Sequence, residues 1–217
     1  MQRKKLAILI FDQVEVLDFT GPFEVFSVAD ELHQFSLLEV CTVACSDKPI
    51  TAVNGLKVVA DYNFEDCPED IDILVLPGGD GTKQHYNNPT YQSWIEEKYH
   101  KAEQVLTVCS GTRFLASLGL LDKKRFCTHQ EVYPALAKLV PAGLPQQHLR
   151  YVTEGKLTSA GGISAGIDAA FDVLQCLAGA QVANKTAQYM EYHRNDADSG
   201  HEYQRHPVTP VKHFSLF

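Results

Sequence analysis

Short apolar runs alternate with helix-length segments along most of the chain. The clearest runs lie at 6–11, 71–76 and 104–108, and most of their positions are apolar. Strands of a parallel sheet give such runs because helices cover both faces of the sheet. The early strand–helix–strand order therefore predicts an α/β fold, with a doubly wound, mainly parallel sheet and helices on both faces.

The same pattern assigns the remaining elements. Further strands are predicted at 37–45, 125–128, 150–153 and 156–159, with a hairpin or edge pair at 50–64. Asn54-Gly55 favours that hairpin because both residues tolerate left-handed turn conformations. Helices are predicted at 19–32, 89–101, 112–118, 131–139, 164–177 and 181–192. We expect one domain over residues 1–194 and a polar C-terminal tail over 195–217.

Composition and charge exclude several classes of function. The 217 residues are 45% apolar and 21% charged, with a formal net charge of −8, so we expect no nucleic-acid partner. The first apolar run, Leu6 to Phe11, is too short for a signal-peptide core. No run approaches the roughly 20 apolar residues that span a bilayer. We therefore expect a cytoplasmic protein with no membrane association.

The six cysteines do not predict disulfides. The chain is long and not dense in cysteine, so free thiols are expected in a reducing compartment. Cys41 and Cys45 lie four apart in a predicted strand, and we expect both in the core. No His or Cys cluster with the spacing of a structural zinc site accompanies them, so no metal site is predicted.

Cys109 stands where the strand at 104–108 ends and a helix begins. The sequence Thr107-Val108-Cys109-Ser110-Gly111-Thr112 has the layout of a nucleophile elbow, a tight turn that exposes one side chain at the sheet edge. Gly111 would allow close approach of backbone and helix. A thiol at a helix N-terminus is stabilised as thiolate, although a buried Cys that merely starts a helix would give the same sequence.

Two further strand ends carry candidate chemistry. Leu76-Pro77-Gly78-Gly79-Asp80-Gly81 has three glycines in four residues, which suits either an oxyanion hole or a plain turn. Asp18 follows the first strand among apolar residues, either as a helix cap or as an acid whose pKa is raised by desolvation or by a nearby thiolate. Glu24 is the competing carboxylate. In a parallel sheet the three strand ends converge if the strand order allows it.

Taken together, the motifs resemble the DJ-1/PfpI superfamily, and most closely its isonitrile hydratase-like branch. The resemblance covers residues 5–192. The motifs are Leu17-Asp18-Phe19-Thr20-Gly21-Pro22, Leu76-Pro77-Gly78-Gly79, Val108-Cys109-Ser110-Gly111, Leu115-Ala116-Ser117-Leu118-Gly119-Leu120-Leu121, Thr128-His129, and Thr158-Ser159-Ala160-Gly161-Gly162-Ile163-Ser164-Ala165-Gly166-Ile167-Asp168.

The resemblance implies a flavodoxin-like fold, a homodimer and a site for a small-molecule substrate. It implies Cys109 as nucleophile, Asp18 as its acidic partner, and the amides of Gly79 and Ser110 as oxyanion donors. In that branch an isonitrile is hydrated to an N-substituted formamide without a metal or organic cofactor. Gly78, His129 and Arg113 are expected around the pocket.

Several positions depart from the family pattern. Ser110 stands where the branch commonly has Thr, and no His follows Cys109, so the protease-like dyad is missing. Gln130 stands where relatives commonly have Trp, which would reshape the pocket. Arg113 brings a cation close to Cys109 and favours thiolate or an anionic ligand. His129 is either a participant near the thiol or a buried, hydrogen-bonded His.

Two alternatives to the hydratase remain open. One is a non-enzymatic redox-sensing or ligand-binding domain, as in regulator-type relatives. Those relatives usually carry a helix-turn-helix extension, and we expect this chain to end without room for one. The other is glyoxalase- or deglycase-like activity on small carbonyl compounds, which would use the same Cys109 site.

Overall fold

The computed structural model describes residues 3–194. The strands are β1 Lys4–Leu9, β2 Leu38–Ala44, β3 Ile50–Thr51, β4 Lys57–Val58, β5 Tyr62–Asn63, β6 Ile73–Leu76, β7 Gln104–Val108, β8 Arg125–Phe126, β9 Leu144–Pro145, β10 Tyr151–Glu154 and β11 Leu157–Ala160. The helices are α1 Val16–Leu32, α2 Thr82–His85, α3 Pro89–Lys101, α4 Thr112–Ser117, α5 Tyr133–Leu139, α6 Ala165–Ala178 and α7 Ala180–Tyr189.

A seven-stranded sheet in the order β10-β11-β7-β6-β1-β2-β5 forms the centre of the fold. All its neighbouring strands pair in parallel except β10, which is antiparallel to β11. Taken alone, β2, β1, β6, β7 and β11 follow the flavodoxin-like order 2-1-3-4-5. The prediction of a flavodoxin-like, mainly parallel sheet is confirmed.

Helices reach both faces of the sheet because the crossovers run in opposite directions. The connection from β1 to β2 moves one way along the sheet, and the connection from β6 to β7 moves the other way. Right-handed crossovers then place α1 and α3 on opposite faces. The change of direction between β1 and β6 is the topological switch point, where the carboxyl ends of strands leave a crevice for a ligand.

The structure refines several predicted boundaries. Helix α1 begins at Val16 instead of residue 19, so Asp18 lies in its first turn. Within 50–64, β3 and β4 form the antiparallel hairpin, with Asn54 at φ 66°, whereas β5 joins the main sheet beside β2. The short helix α2 has no counterpart among the predicted elements. The predicted tail at 195–217 lies outside the described residues.

One prediction about the cysteines is wrong. All six are free thiols, and Cys41 is buried as expected, but Cys45 is exposed. The reason is that β2 ends at Ala44, so Cys45 lies beyond the packed part of the strand. Within residues 3–194, no helix has both the length and the apolar character needed to cross a bilayer.

Gly111 fixes the distance between the elbow after β7 and the end of β6. A Cβ atom on Gly111 would lie 2.0 Å from the carbonyl oxygen of Leu76 and 2.7 Å from that of Pro77. Both contacts are with backbone, which does not move aside as a flexible side chain does. The expectation that this position requires the absence of a Cβ is confirmed.

We expect Gly111→Ala to lower the free energy of unfolding by at least about 2 kcal/mol, because the new methyl group overpacks a backbone contact. Gly155→Ala is the matched control: its Cβ would meet nothing within 4 Å, and only its φ of +61° carries a cost, about 1 kcal/mol. Urea unfolding followed by circular dichroism measures both. Equal losses in the two variants would contradict the packing argument.

Candidate active site around Cys109

Cys109 sits on a sharp turn in a strained backbone conformation. Its φ is 58°, in the left-handed region, and it starts a 3-10 turn that leads from β7 into α4. Its N–H donates to the Gly161 carbonyl at 2.9 Å, and its own carbonyl accepts from the Thr128 hydroxyl at 2.7 Å and the Thr112 hydroxyl at 3.3 Å. Neighbouring segments thus hold the turn from both sides. The geometry is that of a nucleophile elbow.

Asp18 is a fully buried carboxyl group next to the Cys109 thiol. Its side chain is 0% exposed, and Oδ2 accepts the Gly78 N–H at 3.0 Å. Its Oδ1 is buried and has no hydrogen-bond partner among residues 3–194. A buried carboxyl oxygen without a donor favours the protonated acid over the carboxylate.

Burial raises the pKa of Asp18 to about 7. The negative charge of Glu15 also raises it, whereas the Gly78 N–H, the Cys109 thiol and the Ile163 N–H lower it. The carboxyl group therefore exchanges a proton near neutral pH. A general acid or base works best when its pKa lies in that range.

The Cys109 thiol and Asp18 compete for one negative charge. Burial raises the pKa of the thiol above its usual value, and the charge of Asp18 raises it further. The backbone N–H groups of Ser110 and Ile163 act in the opposite direction and stabilise the thiolate. Two adjacent buried anions repel each other. Loss of the first proton from the pair therefore makes loss of the second proton harder. Helix α4 is only six residues long, so the donors matter more here than its dipole.

The glycine loop after β6 packs against both groups. A Cβ on Gly78 would lie 2.6 Å from the Ser110 nitrogen and 2.8 Å from Asp18 Oδ2, so only glycine fits between them. Gly79 adopts φ +123°, and a Cβ there would meet the Gln13 carbonyl oxygen at 2.3 Å. The close convergence of the three strand ends thus depends on two positions without side chains.

The Gly79 amide is engaged within the protein. Its N–H donates to Ser110 Oγ at 2.9 Å, and that hydroxyl donates back to the Gly79 carbonyl at 3.1 Å. An oxyanion would therefore have to displace the Ser110 hydroxyl from the Gly79 N–H. The role of Gly79 and Ser110 as oxyanion donors stays a prediction.

A cavity of about 280 Å³ opens onto the thiol. It is lined by Glu15, Val53, Gly79, Asp80, Thr82, Lys83, Cys109, Ser110, Arg113, His129, Glu131, Val132 and Ile163. Five predicted site residues are thus brought together there: Cys109, Gly79, Ser110, Arg113 and His129. Asp18 and Gly78 do not line the cavity, and the competing acid Glu24 is exposed on α1.

His129 borders the cavity in a fixed orientation. Its Nδ1 accepts the Glu131 N–H at 3.3 Å, and its ring packs so closely on Gly162 that a Cβ there would lie 2.4 Å from His129 Cδ2. With Nδ1 acting as acceptor, the proton of the neutral ring is on Nε2. His129 therefore lines the cavity, and its ring is held by the hydrogen bond from the Glu131 N–H.

Sequence reasoning missed the contribution of Ile163. This β-branched residue has φ 44°, a strained value, and its N–H stabilises charge on both Cys109 and Asp18. The signal was the Gly161-Gly162 pair before it, which permits a tight approach of this loop to the elbow. Within residues 3–194, no group of three or more His, Cys, Asp or Glu side chains is placed to hold a metal ion.

The fold and the site together define a flavodoxin-like α/β protein with a cysteine on an elbow at the carboxyl edge of its sheet. Residues 4–176 match the model of the DJ-1/PfpI family. The chain belongs to the DJ-1/PfpI family, and the resemblance seen in the sequence is confirmed.

Individual relatives agree with this assignment. The chain is 32% identical to an isonitrile hydratase of Pseudomonas putida over 188 residues, which are 87% of this chain and 78% of the relative. It is 26% identical to a deglycase of Pyrococcus abyssi over 71% of this chain and 88% of that protein. The crystal structure of a ThiJ/PfpI family protein from Pseudomonas syringae is similar with a TM-score of 0.80 and 26% identity, covering 90% of this chain and 78% of that one.

We expect Asp18→Asn to lower the pKa of the Cys109 thiol, because the substitution removes the negative charge that opposes the thiolate. The pH dependence of Cys109 alkylation by iodoacetamide, followed by mass spectrometry, should move to lower pH by about 1 unit or more. Glu24→Gln removes a charge of the same sign from the exposed side of the same helix and should leave the profile in place. An unchanged or upward-shifted midpoint in Asp18→Asn would show that the two groups are not coupled.

Proposed function

We propose that this protein hydrates small isonitriles to N-substituted formamides, with Cys109 as nucleophile and Asp18 as the acid and base. The observation that carries the proposal is the buried Asp18 carboxyl group beside the thiol, with its pKa raised to about 7. The similarity to an isonitrile hydratase over 87% of the chain supports the choice of substrate class.

The first step joins the thiol sulfur to the isonitrile carbon. That carbon accepts both a nucleophile and a proton, because it carries a lone pair and an electron-poor π system. The Cys109 thiolate forms the S–C bond while protonated Asp18 gives its proton to the same carbon, which yields a thioimidate, R–N=CH–S–Cys. The pair begins this step with one proton and one negative charge. Because the pKa of the thiol lies above that of Asp18, the proton passes from sulfur to the Asp18 carboxylate before the thiolate attacks.

The second step releases the formamide. Water adds to the thioimidate carbon, and one of its protons passes to the nitrogen. The other proton returns to Asp18 as the C–O bond becomes a carbonyl and the Cys109 thiolate leaves. The sum is one isonitrile plus one water giving one formamide, with the thiolate and protonated Asp18 restored. The Ser110 and Ile163 N–H groups stabilise the departing thiolate.

The dimensions of the site suit a small substrate. A cavity of about 280 Å³ lies just below the usual range for ligand pockets, which begins at about 300 Å³. Val53, Val132 and Ile163 supply apolar surface on its wall. Cys109, 9% exposed, lines this cavity.

We expect the purified protein to convert isocyanoacetate or a short alkyl isonitrile to the corresponding formamide, measured by NMR or chromatography. Cys109→Ala should reduce the rate to background. Asp18→Asn should lower kcat by about 100-fold or more, as expected for the loss of a general acid and base. This loss should occur even though the same substitution lowers the pKa of the thiol and so increases the thiolate fraction. The loss can then be assigned to the missing proton transfer.

Glu24→Gln is the control for a change of charge on α1 and should keep wild-type turnover. Full turnover in Cys109→Ala would defeat the proposal. Lactate formation from methylglyoxal without any formamide formation would instead favour a glyoxalase-like activity at the same thiol.

A further inference from the structure

Arg113 stands beside the thiol in the cavity wall. It lies in the first turn of α4, which follows the elbow that carries Cys109. Both residues line the 280 Å³ cavity. A ligand that meets Cys109 therefore passes within reach of the guanidinium group.

The guanidinium group lacks a partner in the described part of the chain. Arg113 Nε is buried and makes no hydrogen bond, and Arg113 takes part in no ion pair within residues 3–194. The other arginines in this range are each bound by a carboxylate or an amide oxygen: Arg3, Arg125, Arg150 and Arg194. Because Arg113 lines the cavity and no acceptor in this part of the chain binds its charge, a ligand acceptor in the cavity can do so.

The other charged groups of the cavity leave this role to Arg113. Lys83 pairs with Asp80 at 2.6 Å at the exposed rim, so neither needs a ligand. Glu131 is exposed, and Glu15 is half-buried. Both carboxylates repel an anion. Within the cavity, Arg113 is therefore the favoured position for a negatively charged group of a ligand.

We propose that Arg113 binds a carboxylate group of the substrate while Cys109 attacks the isonitrile carbon at its other end. The preferred substrates are then small isonitriles that carry a carboxylate, such as isocyanoacetate. A guanidinium suits this group because its planar N–H donors match the two carboxylate oxygens. The choice of isonitrile rests on the proposed function, whereas the carboxylate site rests on Arg113 alone.

The test compares two reagents that alkylate Cys109 and differ in charge. The ratio of the rate constants for anionic iodoacetate and neutral iodoacetamide is measured by mass spectrometry in the wild-type protein and in Arg113→Gln. We expect Arg113→Gln to lower this ratio by about tenfold, the loss of a charge-assisted hydrogen bond. Arg113→Lys should restore part of it, because it keeps the charge but not the planar fork.

Lys83→Gln is the matched control, since it removes a cation from the cavity rim that already has a partner; its ratio should stay within about twofold of wild type. An unchanged ratio in Arg113→Gln, or an equal drop in Lys83→Gln, would overturn the carboxylate site. This readout does not depend on hydration. A protein that keeps the Arg113 effect but forms no formamide would therefore refute the proposed function and not the site.

A second measurement tests the carboxylate site without alkylation, in case the Cys109 thiol reacts with neither reagent. Isocyanoacetate is titrated calorimetrically into Cys109→Ala and into the double variant Cys109→Ala, Arg113→Gln. We expect binding at least about tenfold weaker in the double variant. Equal affinities, or the absence of binding in both, would overturn the proposal.

Discussion

A single negative charge, shared by the buried Asp18 carboxyl group and the Cys109 thiol, is the constraint on which the rest of the site depends. Burial raises the pKa of both groups, and the charge of Asp18 further opposes ionisation of the thiol, whereas the thiol favours the Asp18 carboxylate through a hydrogen bond. The protein offers only a few N–H donors to that charge, from Gly78, Ser110 and Ile163. The pair therefore keeps an exchangeable proton next to the thiol sulfur.

The fold provides this arrangement through strand order and close packing. The carboxyl ends of β1, β6 and β7 lie side by side because these strands are adjacent in the sheet. Gly78 and Gly111 then let the three loops approach so closely that any Cβ would strike a neighbour. The left-handed conformation of Cys109, held by the Thr128 hydroxyl, turns the side chain toward Asp18. Stability lost to strain and burial at the elbow is offset by the core of the sheet.

Much of this architecture could be predicted from the sequence because it rests on local patterns. The helix at 89–101 and the strand at 104–108 have the predicted bounds, since a capping Asn88 and a mostly apolar run mark them. The elbow and the glycine loop could also be predicted, because glycines mark both: Gly111 in the elbow, and Gly78 and Gly79 in the loop after β6.

Features that depend on contacts across space escaped prediction. Helix α2, four residues long, is too short to show periodicity. The hydrogen bonds between Gly79 and Ser110, and the donation from Ile163, join loops far apart in the chain. Helix α1 starts three residues earlier than predicted, after Glu15, which is not a typical capping residue and makes no side-chain capping bond. With the predicted start of the helix, Asp18 could have been a capping residue; with the observed start it lies inside the first turn and is buried.

The most direct test is an NMR titration of the Asp18 carboxyl carbon in uniformly ¹³C-labelled protein. The shared charge predicts that this carbon titrates with an apparent pKa of about 7. In Cys109→Ala, which removes the thiol that lowers the pKa of Asp18, the midpoint should rise and the transition should become a single independent step. A carboxyl carbon that titrates near 4, the ordinary value for Asp, and is unaffected by Cys109→Ala would contradict the account.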